Sequence, residues 1–467
     1  MEELARSIYE GLLRHTSLRY LKTMTNSKYI QDFCKLLQCN TISNGGDFAT
    51  FHKVLREVFP FVHARLQKVD LSLVAGDRDY TNVLLFKWEG ASHDKPLVLM
   101  AHQDVVPVDE AHWDYPPFDA TVVDDKVYAR GAIDCKNTLF CTMMAVEELL
   151  ANGSLPPQDV YLSYSPNEEI SGTGTQIVRD YFISSGITPF LVVDEGGALM
   201  KADGEFIKKD LLMVGATEKG YADVKFIAKG NGGHASKPPY NTPIARIAKF
   251  VNYCENHHVF KPRCTKIARQ MLYKMGDAFP FGLKLVSKTI GLTGGLVASI
   301  ASGKLAGRKG AMIFKTTMAF TTTGGGKVSN AIPDEAYVTA NIRFLQGDTS
   351  EKCFAKLTKL ANKFDLEMQV IKFREASPVV DVKGEGYKLF ESVAKQVYPQ
   401  AVIAPFLMFA GTDCRHLQPI AKHAIRCTPI LMTFSQLDAM HGNNENLTYT
   451  ALDKCIEFFK NLIQANK

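Results

Sequence analysis

The stretch Val160-Tyr-Leu-Ser-Tyr-Ser-Pro-Asn-Glu-Glu-Ile-Ser-Gly-Thr-Gly-Thr175 begins as an apolar run and ends in small polar residues. Its apolar part predicts a buried strand, because short apolar runs bounded by turn residues are typical of sheet cores. Glu168 and Glu169 follow this strand directly. Adjacent carboxylates repel each other, so the fold keeps both here only if a cation or a proton offsets their charge. The stretch therefore predicts a sheet with a charged site at a strand end.

Similar strand signals flank this stretch and alternate with helical patterns. Residues 82–86, 97–101 and 191–193 are short apolar runs, and residues 97–101 have no polar face. Residues 138–150 carry apolar positions at helical spacing. This alternation predicts an α/β fold, with a layered catalytic domain built on a largely parallel central sheet.

The pattern changes near residue 212, and 467 residues are too many for one hydrophobic core. Residues 221–228 and 336–343 alternate between apolar and polar positions, while residues 261–309 indicate an irregular insertion. We predict a catalytic domain in two parts, 1–211 and 347–467, interrupted by an α+β domain of the lid or dimerisation type at 212–346. Helices are predicted at 30–37, 244–254, 351–364 and 452–465, after a polar helical lead-in.

Composition excludes several classes of protein. Apolar residues make up 46% of the chain, and the formal charge of +5 comes without a basic block carrying aromatics, so we expect no nucleic-acid partner. No apolar run reaches the roughly 18 residues of a membrane span, and the nearest, residues 290–301, is short and rich in glycine. Ten cysteines without a regular framework or a signal peptide predict reduced thiols in a cytoplasmic protein.

Three candidate site residues lie in loops after apolar runs. His102 and Asp104 follow the run at 97–101, and α/β sheets bind ligands at the carboxyl ends of their strands. A carboxylate beside a metal-binding histidine fixes its tautomer, which suits Asp104. The alternative is an ordinary buried histidine at 102. Asp134, just before a predicted helix, is either a ligand that bridges two ions or a helix cap.

The remaining candidates complete a set of ligands for two metal ions. One carboxylate of the pair Glu168 and Glu169 can bind metal while the other acts as general base on water. Asp194 ends the run at 191–193, and His441 lies in a turn, where a lone histidine is usually just exposed. Two histidines and three carboxylates suit two borderline-soft ions such as zinc.

Nine segments in a fixed order connect the chain with a known family. They span roughly residues 95–445 and read HQDVVPV, HWDYPPFDA, GAIDCKN, PNEEISGTGT, VVDEGG, GGHASKPP, NAIPDEA, AGTDCRH and HGNNE. The chain resembles the co-catalytic zinc metallopeptidases that include carboxypeptidase S, glutamate carboxypeptidase, aminoacylase and succinyl-diaminopimelate desuccinylase. HWDYPPF, the long insertion and TTMAFTTTGGGKVSNAIPDEA are most similar to the branch of carboxypeptidase S and the N-fatty-acyl-amino-acid hydrolases.

The resemblance implies a role for each candidate. Two Zn²⁺ ions, with Mn²⁺ or Co²⁺ as alternatives, would share Asp134. The other expected ligands are His102 and Asp194 for one ion and Glu169 and His441 for the second. Glu168 would be the general base, Asp104 would orient His102, and the peptide bond after Asp134 would be cis.

The resemblance also implies substrate contacts and a dimer. His234 would stabilise the oxyanion, in dimeric members from the partner subunit, and the alternative is a histidine in a glycine-rich turn. Asn330 and Arg343 would hold substrate, Arg343 through a carboxylate, although a surface ion pair is the alternative for that arginine. Gly411 would leave room near the scissile group. A homodimer would form through the inserted domain.

The function predicted is hydrolysis of an amide bond beside a free carboxylate, of the carboxypeptidase or dipeptidase type, on a peptide substrate. The first alternative is hydrolysis or synthesis of N-acyl or N-fatty-acyl amino acids, and the second is an inactive binding protein on the same fold. The apolar residues 279–301 either line a path for a fatty acyl chain or extend the inserted domain.

Overall fold

The computed structural model describes residues 28–303 and 310–467. Most of the predicted lead-in before residue 30 lies outside these residues. The strands are β1 (Gln67–Lys68), β2 (Leu84–Trp88), β3 (Ser92–His102), β4 (Thr121–Val123), β5 (Lys126–Tyr128), β6 (Gln158–Ser165), β7 (Leu191–Met200), β8 (Leu211–Glu218), β9 (Tyr221–Lys229), β10 (Gly233–His234), β11 (Thr317–Gly325), β12 (Ala331–Ile332), β13 (Glu335–Arg343), β14 (Glu367–Arg374), β15 (Val402–Met408), β16 (His423–Met432) and β17 (Asn446–Thr448).

The described helices, numbered in the same way, include those that the sequence predicts at 30–37, 138–150, 244–254, 351–364 and 452–465. They are α1 (Ile30–Leu37), α2 (Phe48–Val58), α3 (Pro60–Arg65), α4 (Ser72–Ala75), α5 (Lys136–Ala151), α6 (Gly174–Ser184), α7 (Pro243–Asn256), α8 (Lys266–Met275), α9 (Phe281–Lys288), α10 (Ile290–Ala301), α11 (Ala311–Phe314), α12 (Ser350–Asn362), α13 (Glu385–Val397), α14 (Cys414–Leu417), α15 (Phe434–Asp438) and α16 (Ala451–Ala465).

The largest sheet has eight strands in the order β1-β2-β6-β3-β7-β16-β8-β15. Its centre is parallel, because β3 pairs in parallel with β6 and β7, and β7 pairs in parallel with β16. β1 and β2 run antiparallel at one edge, and β8 and β15 run parallel to each other at the opposite edge. The predicted α/β fold with a largely parallel central sheet is confirmed.

Helices cover both faces of this sheet. Leu97 and Leu99 of β3 lie in the core that contains α5 and α16, while Val98 and Met100 lie in the core that contains α6 and α14. Successive side chains of a strand point to opposite faces, so a strand buried on both faces has no polar side. The register pairs His102 with Ser165, which brings the ends of β3 and β6 to the same edge.

A second, antiparallel sheet forms the inserted domain, with strand order β11-β13-β9-β14. The inward side chains of β9 and β13 pack against α7 and α12 in one core. Phe226, Phe250 and Leu357 are fully buried there. This domain therefore extends from β9 to β14.

The predicted limits of the inserted domain, 212 and 346, disagree with the strand pairing. β8 belongs to the large sheet, where it pairs with β15, so the domain begins after Glu218. β14 pairs with β9, so α12 and β14 belong to the inserted domain and not to the catalytic domain. No linker signal marks this boundary in the sequence, because only Lys219 and Gly220 separate β8 from β9.

The predicted irregular insertion is mainly helical where it is described. It contains α8, α9 and α10, while residues 304–309 lie outside the described residues. Ile267 of α8 joins the main core. These helices were not predicted, because α9 and α10 carry apolar residues on their exposed sides as well as on their buried sides. The usual helical alternation of apolar and polar residues is therefore absent from the sequence.

Candidate metal centre

His102, at the carboxyl end of β3, lies between two aspartates. Its Nε2 is 2.8 Å from Oδ1 of Asp134, and its Nδ1 is 2.9 Å from the main-chain oxygen of Asp104. The Asp104 carboxylate is 3.4 Å from the same Nδ1. Burial alone lowers the pKa of His102, but Cys135, Asp104 and Asp134 together raise that pKa well above its ordinary value. Asp104 thus orients the His102 ring so that its Nε2 faces Asp134.

Asp134 lies between two histidines, with one carboxylate oxygen toward each. His441 Nε2 is 2.9 Å from Oδ2 of Asp134 and 3.2 Å from Oε2 of Glu169. Burial raises the pKa of Asp134, but the hydrogen bonds with His102 and His441 hold it below its ordinary value. A carboxylate with one oxygen on each of two ligand clusters has the geometry of a bridge between two ions.

The alternative that Asp134 caps a helix is wrong. α5 begins at Lys136, its N-cap residue is Cys135, and no side chain caps it. The Asp134–Cys135 peptide bond is cis, as the resemblance implied. Buried Glu445 holds this loop, because its Oε1 accepts the N–H groups of Ile133 and Asp134 at 2.7 and 3.1 Å. Sequence reasoning missed this role of Glu445.

Asp104 connects the histidine to the glutamate pair. Its Oδ1 accepts the N–H of Glu168 at 3.1 Å, and its Oδ2 accepts the N–H of Glu169 at 3.2 Å. The hydroxyl of Ser43 also donates to Oδ2, at 2.7 Å. Because Asp104 is fully buried, these bonds fix the turn that carries both glutamates relative to His102.

Asp194 and Glu195 are rival ligands for the ion beside His102. Asp194 already accepts hydrogen bonds from the main-chain N–H groups of Glu195 and Cys414, at 2.9 and 2.7 Å. The Glu195 carboxylate has no hydrogen bond or ion pair with the described residues. Burial and the charges of Asp134 and Asp194 raise the pKa of Glu195 well above its ordinary value. The sequence signal that could have found it is its place in a second acidic pair, directly after the apolar run at 191–193. The structure places this pair within β7 and not at the strand end that the sequence indicated.

The Cys135 thiol also lies near His102 and Asp134. Metal binding requires the thiolate. Burial raises the pKa of Cys135 above its ordinary value, which favours the neutral thiol. The carboxylates are therefore the better ligands.

Glu168 lies at the mouth of the cluster without contacting either histidine. Its Oε1 is 3.4 Å from Nη1 of Arg415. Burial and the nearby Asp413 raise the pKa of Glu168 to about 8, although His102 and Arg415 act against this rise. A carboxyl group that titrates near neutral pH is suited to accept and return protons.

A cleft of about 450 Å³ opens over this cluster, between the two domains. Both domains line it, through Glu168, Glu169, Ser171, Tyr221, Arg343, Lys372, Phe373, Arg374, Ala410, Gly411, Arg415, His416 and His441. Arg343 forms no ion pair with the described residues, which excludes the surface-pair alternative within them. Its Nε donates to Asn341, and its guanidinium lies 4.8 Å from the Tyr221 ring centre. Sequence reasoning missed Arg374 and Arg415.

Gly411 leaves room for Arg374. A Cβ built at this position would overlap the Arg374 guanidinium. Burial and the nearby charge of Arg415 lower the pKa of Arg374. The Arg374 guanidinium thus occupies the space that the sequence predicted near the scissile group. It fits there because Gly411 has no side chain.

His234 and Asn330 lie outside the cleft. His234 is exposed in β10, which pairs with β12 of the inserted domain, and the main-chain oxygen of Asn330 accepts the N–H of Ala235 at 3.0 Å. Ser236 Oγ is 2.8 Å from Nδ1 of His234. The two residues are close in the chain fold, but the structure does not bring them to the other site residues.

Known proteins match this chain over most of its length. Residues 98–465 match the family described as Peptidase family M20/M25/M40. The probable carboxypeptidase S-like 2 of Dictyostelium discoideum is 28% identical over 461 residues, covering 95% of this chain and 86% of that protein. The N-fatty-acyl-amino acid synthase/hydrolase PM20D1 of Homo sapiens is 28% identical, covering 90% and 83%.

A solved structure supports the fold. The M20 family metallo-carboxypeptidase Sso-CP2 from Sulfolobus solfataricus superposes with a TM-score of 0.69 at 19% identity, covering 94% of this chain and 99% of that one. The match to the family model over residues 98–465 decides the class of protein. The chain belongs to peptidase family M20/M25/M40, and it is an enzyme of the metallopeptidase and amidohydrolase class.

Proposed function

We propose that the protein is a dinuclear zinc hydrolase that cuts an amide bond next to a free carboxylate. The observation that carries this proposal is the Asp134 carboxylate, with one oxygen at His102 and the other at His441. Two ions that share one carboxylate are the arrangement used in co-catalytic hydrolysis.

The residues present fit two divalent ions. Oε1 of Glu169 is buried and has no hydrogen-bond partner among the described residues. An unpartnered buried carboxylate oxygen is costly unless a cation meets it. His102, Asp134 and Glu195 would hold one ion, and Asp134, Glu169 and His441 the other. Imidazole and carboxylate ligands suit zinc, and manganese or cobalt would fit the same set.

Side chains of the protein carry out separate parts of the reaction. When bound, the two ions supply positive charge that polarises the amide carbonyl and lowers the pKa of water. Glu168 accepts the proton of the attacking water and passes it to the leaving amine. Asp104 holds the Glu168 main chain in place, so proton transfer starts from a fixed position.

The arginines of the cleft select the substrate. Arg343 and Arg374 have side chains in the cleft that contains Glu168. A guanidinium fork binds a carboxylate through two parallel hydrogen bonds. We assign these two arginines to the free carboxylate beside the scissile amide.

His234 and Asn330 would act from the partner subunit of a homodimer. Both lie on the exposed β10 and β12 region of the inserted domain, away from the cleft of their own chain. The Nδ1 of His234 is occupied by Ser236, which leaves Nε2 for an oxyanion.

Two substrate classes fit this site. A peptide with a free carboxyl terminus is favoured by the match to carboxypeptidase S-like proteins. An N-fatty-acyl amino acid, hydrolysed or synthesised, is favoured by the human relative's name. No described residue of the insertion lines the cleft, so we rank the peptide first.

One experiment separates these substrates. The zinc-loaded protein is incubated with a pool of dipeptides and N-acyl amino acids, and mass spectrometry identifies what disappears. We expect the dipeptides to disappear from the pool before the N-acyl amino acids do. Loss of acyl amino acids alone would support the second class, and an unchanged pool would contradict the proposed function. A parallel incubation with fatty acid and free amino acid tests synthesis.

We also propose a cytoplasmic location. All ten cysteines are free, and nine of them are buried, which is consistent with a reducing compartment. Fractionation of the source cells would test this proposal.

A further inference from the structure

The helical insertion exposes an unusual amount of apolar surface. Seven large apolar side chains of α9 and α10 are exposed: Phe281, Leu283, Leu285, Val286, Leu292, Leu296 and Ile300. Leu292 is 95% exposed and Phe281 is 83% exposed. The opposite side of α10, with Ile290, Gly294 and Ala298, is buried. Exposed apolar side chains concentrated on one pair of helices in this way indicate an interaction site.

The charges around this surface are mainly positive. Asp277 is shared by two lysines of α9, at 3.4 Å from Nζ of Lys284 and 2.8 Å from Nζ of Lys288, so the three side chains together carry one net positive charge. From Ala278 to Phe314 the sequence has no aspartate or glutamate, and Lys284 and Lys288 are the charged residues of this stretch that the structure describes. A cavity of about 440 Å³ at the start of α10 is lined in part by Arg269, Lys274 and Lys383. None of these three cations forms an ion pair with the described residues. The surface is therefore complementary to an anionic partner.

The geometry of the two helices fits a surface and not a span. Among the described residues no single helix is long and apolar enough to cross a membrane, and α9 and α10 pass that test only together, with a bend of 110° between them. An apolar helical face flanked by lysines lies in the interface of a bilayer, with its cations at the headgroups.

We propose that α9 and α10 form a docking surface for an anionic phospholipid bilayer. The apolar side chains enter the boundary between headgroups and acyl chains, and Lys284 and Lys288 remain at the headgroups. This proposal concerns the exposed face alone and is independent of the substrate assigned to the cleft.

Vesicle flotation tests the proposal with the full chain. Wild type is mixed with phosphatidylcholine vesicles that contain or lack phosphatidylserine. We expect binding to the anionic vesicles, weakened by salt. The variant L292E/L296E should lower the partition coefficient at least about tenfold, because burial of a single leucine is worth about that factor. The control L73E changes a leucine that is 94% exposed on α4 and should bind like wild type.

Each other outcome contradicts the proposal. Wild type that stays with the unbound fraction, or L73E that loses as much binding as L292E/L296E, would show that the patch does not bind lipid. Sedimentation velocity tests a second copy of the chain as occupant. A wild-type dimer that L292E/L296E dissociates, without vesicle binding, would assign the patch to a subunit interface. Unchanged circular dichroism confirms that both variants are folded.

Discussion

At the scale of single residues, the centre is a set of side chains that hold one another in place. Glu445 fixes the Asp134 loop, and Asp104 fixes the turn of Glu168 and Glu169. Both of these supporting carboxylates are fully buried. Groups that position ligands in this way affect metal affinity nearly as strongly as the ligands.

The rivalry between Asp194 and Glu195 is open to direct test. We expect E195Q to lose one of the two proposed ions, because the Glu195 carboxylate has no hydrogen bond or ion pair within residues 28–303 and 310–467. D194N should keep both ions, since Asp194 already accepts two main-chain hydrogen bonds. Elemental analysis of the purified variants measures the metal per chain. If D194N lost the ion and E195Q kept it, Asp194 would be the ligand, as the sequence predicts.

His441 makes metal binding depend on pH. Hydrogen bonds with Asp134 and Glu169 raise its pKa to about 10 in the metal-free protein. These contacts stabilise the metal-free fold fully below the ordinary histidine pKa of about 6.5 and are lost as pH rises through about 10. Near pH 8 the folded protein therefore holds a proton that metal binding must displace.

The measurement is a zinc titration of metal-free protein near pH 8 in weak buffer with a pH indicator. Wild type should release one proton more than H441Q, and its apparent affinity should rise with pH. Equal proton release from the two proteins would show that His441 is not protonated before binding.

The apolar runs predicted His102, Asp134, His441 and the pair Glu168 and Glu169 as candidates, and the resemblance to the known family assigned Glu169 as the ligand of that pair. The sequence predicted Asp194 and not Glu195. Adjacent residues of a strand face opposite ways, and the pattern does not show which of the two faces the other candidate ligands. Arg374 was missed for another reason. It ends an exposed strand, and only folding of the two domains brings it to Glu168.

At the scale of elements, the end of β14 and the loop before α14 meet at Gly411. The absence of a side chain there admits the Arg374 guanidinium. Strand–helix alternation predicted the large sheet, while β14 and the boundary at β8 needed the pairing itself.

Replacement of Gly411 by Ala tests this contact. The added methyl group would displace Arg374, and loss of a charged hydrogen bond to the substrate carboxylate should lower kcat/KM about tenfold or more. The effect should lie mainly in KM, with metal content unchanged. G295A, at an exposed helical glycine whose Cβ would meet nothing within 4 Å, is the matched control. Wild-type kinetics in G411A would contradict this role.

At the scale of the whole molecule, the cleft joins two domains, with Glu168 from one and Arg343 from the other. The sequence predicted that a second domain is inserted, but no pattern in one chain shows which surfaces of two copies meet. His234 lies outside the cleft of its own chain, so its proposed role in the reaction requires a second copy of the chain.

Complementation tests the dimer. E168A and H234A are expected to be inactive alone, yet a mixed dimer contains one cleft with both residues intact. Co-expression should therefore restore up to about a quarter of wild-type activity, because half of the dimers are mixed and each has one complete cleft. Activity of H234A alone near the wild-type level, or no recovery in the mixture, would contradict action across subunits.

In the proposed mechanism Glu168 moves the proton while its neighbour Glu169 holds metal. The decisive measurement is the turnover and metal content of E168Q, side by side with wild type, on the substrate that the pool identifies. We predict two ions per chain in both proteins and a loss of kcat of at least about a hundredfold in E168Q. Turnover near wild type, or loss of an ion from E168Q, would contradict the account.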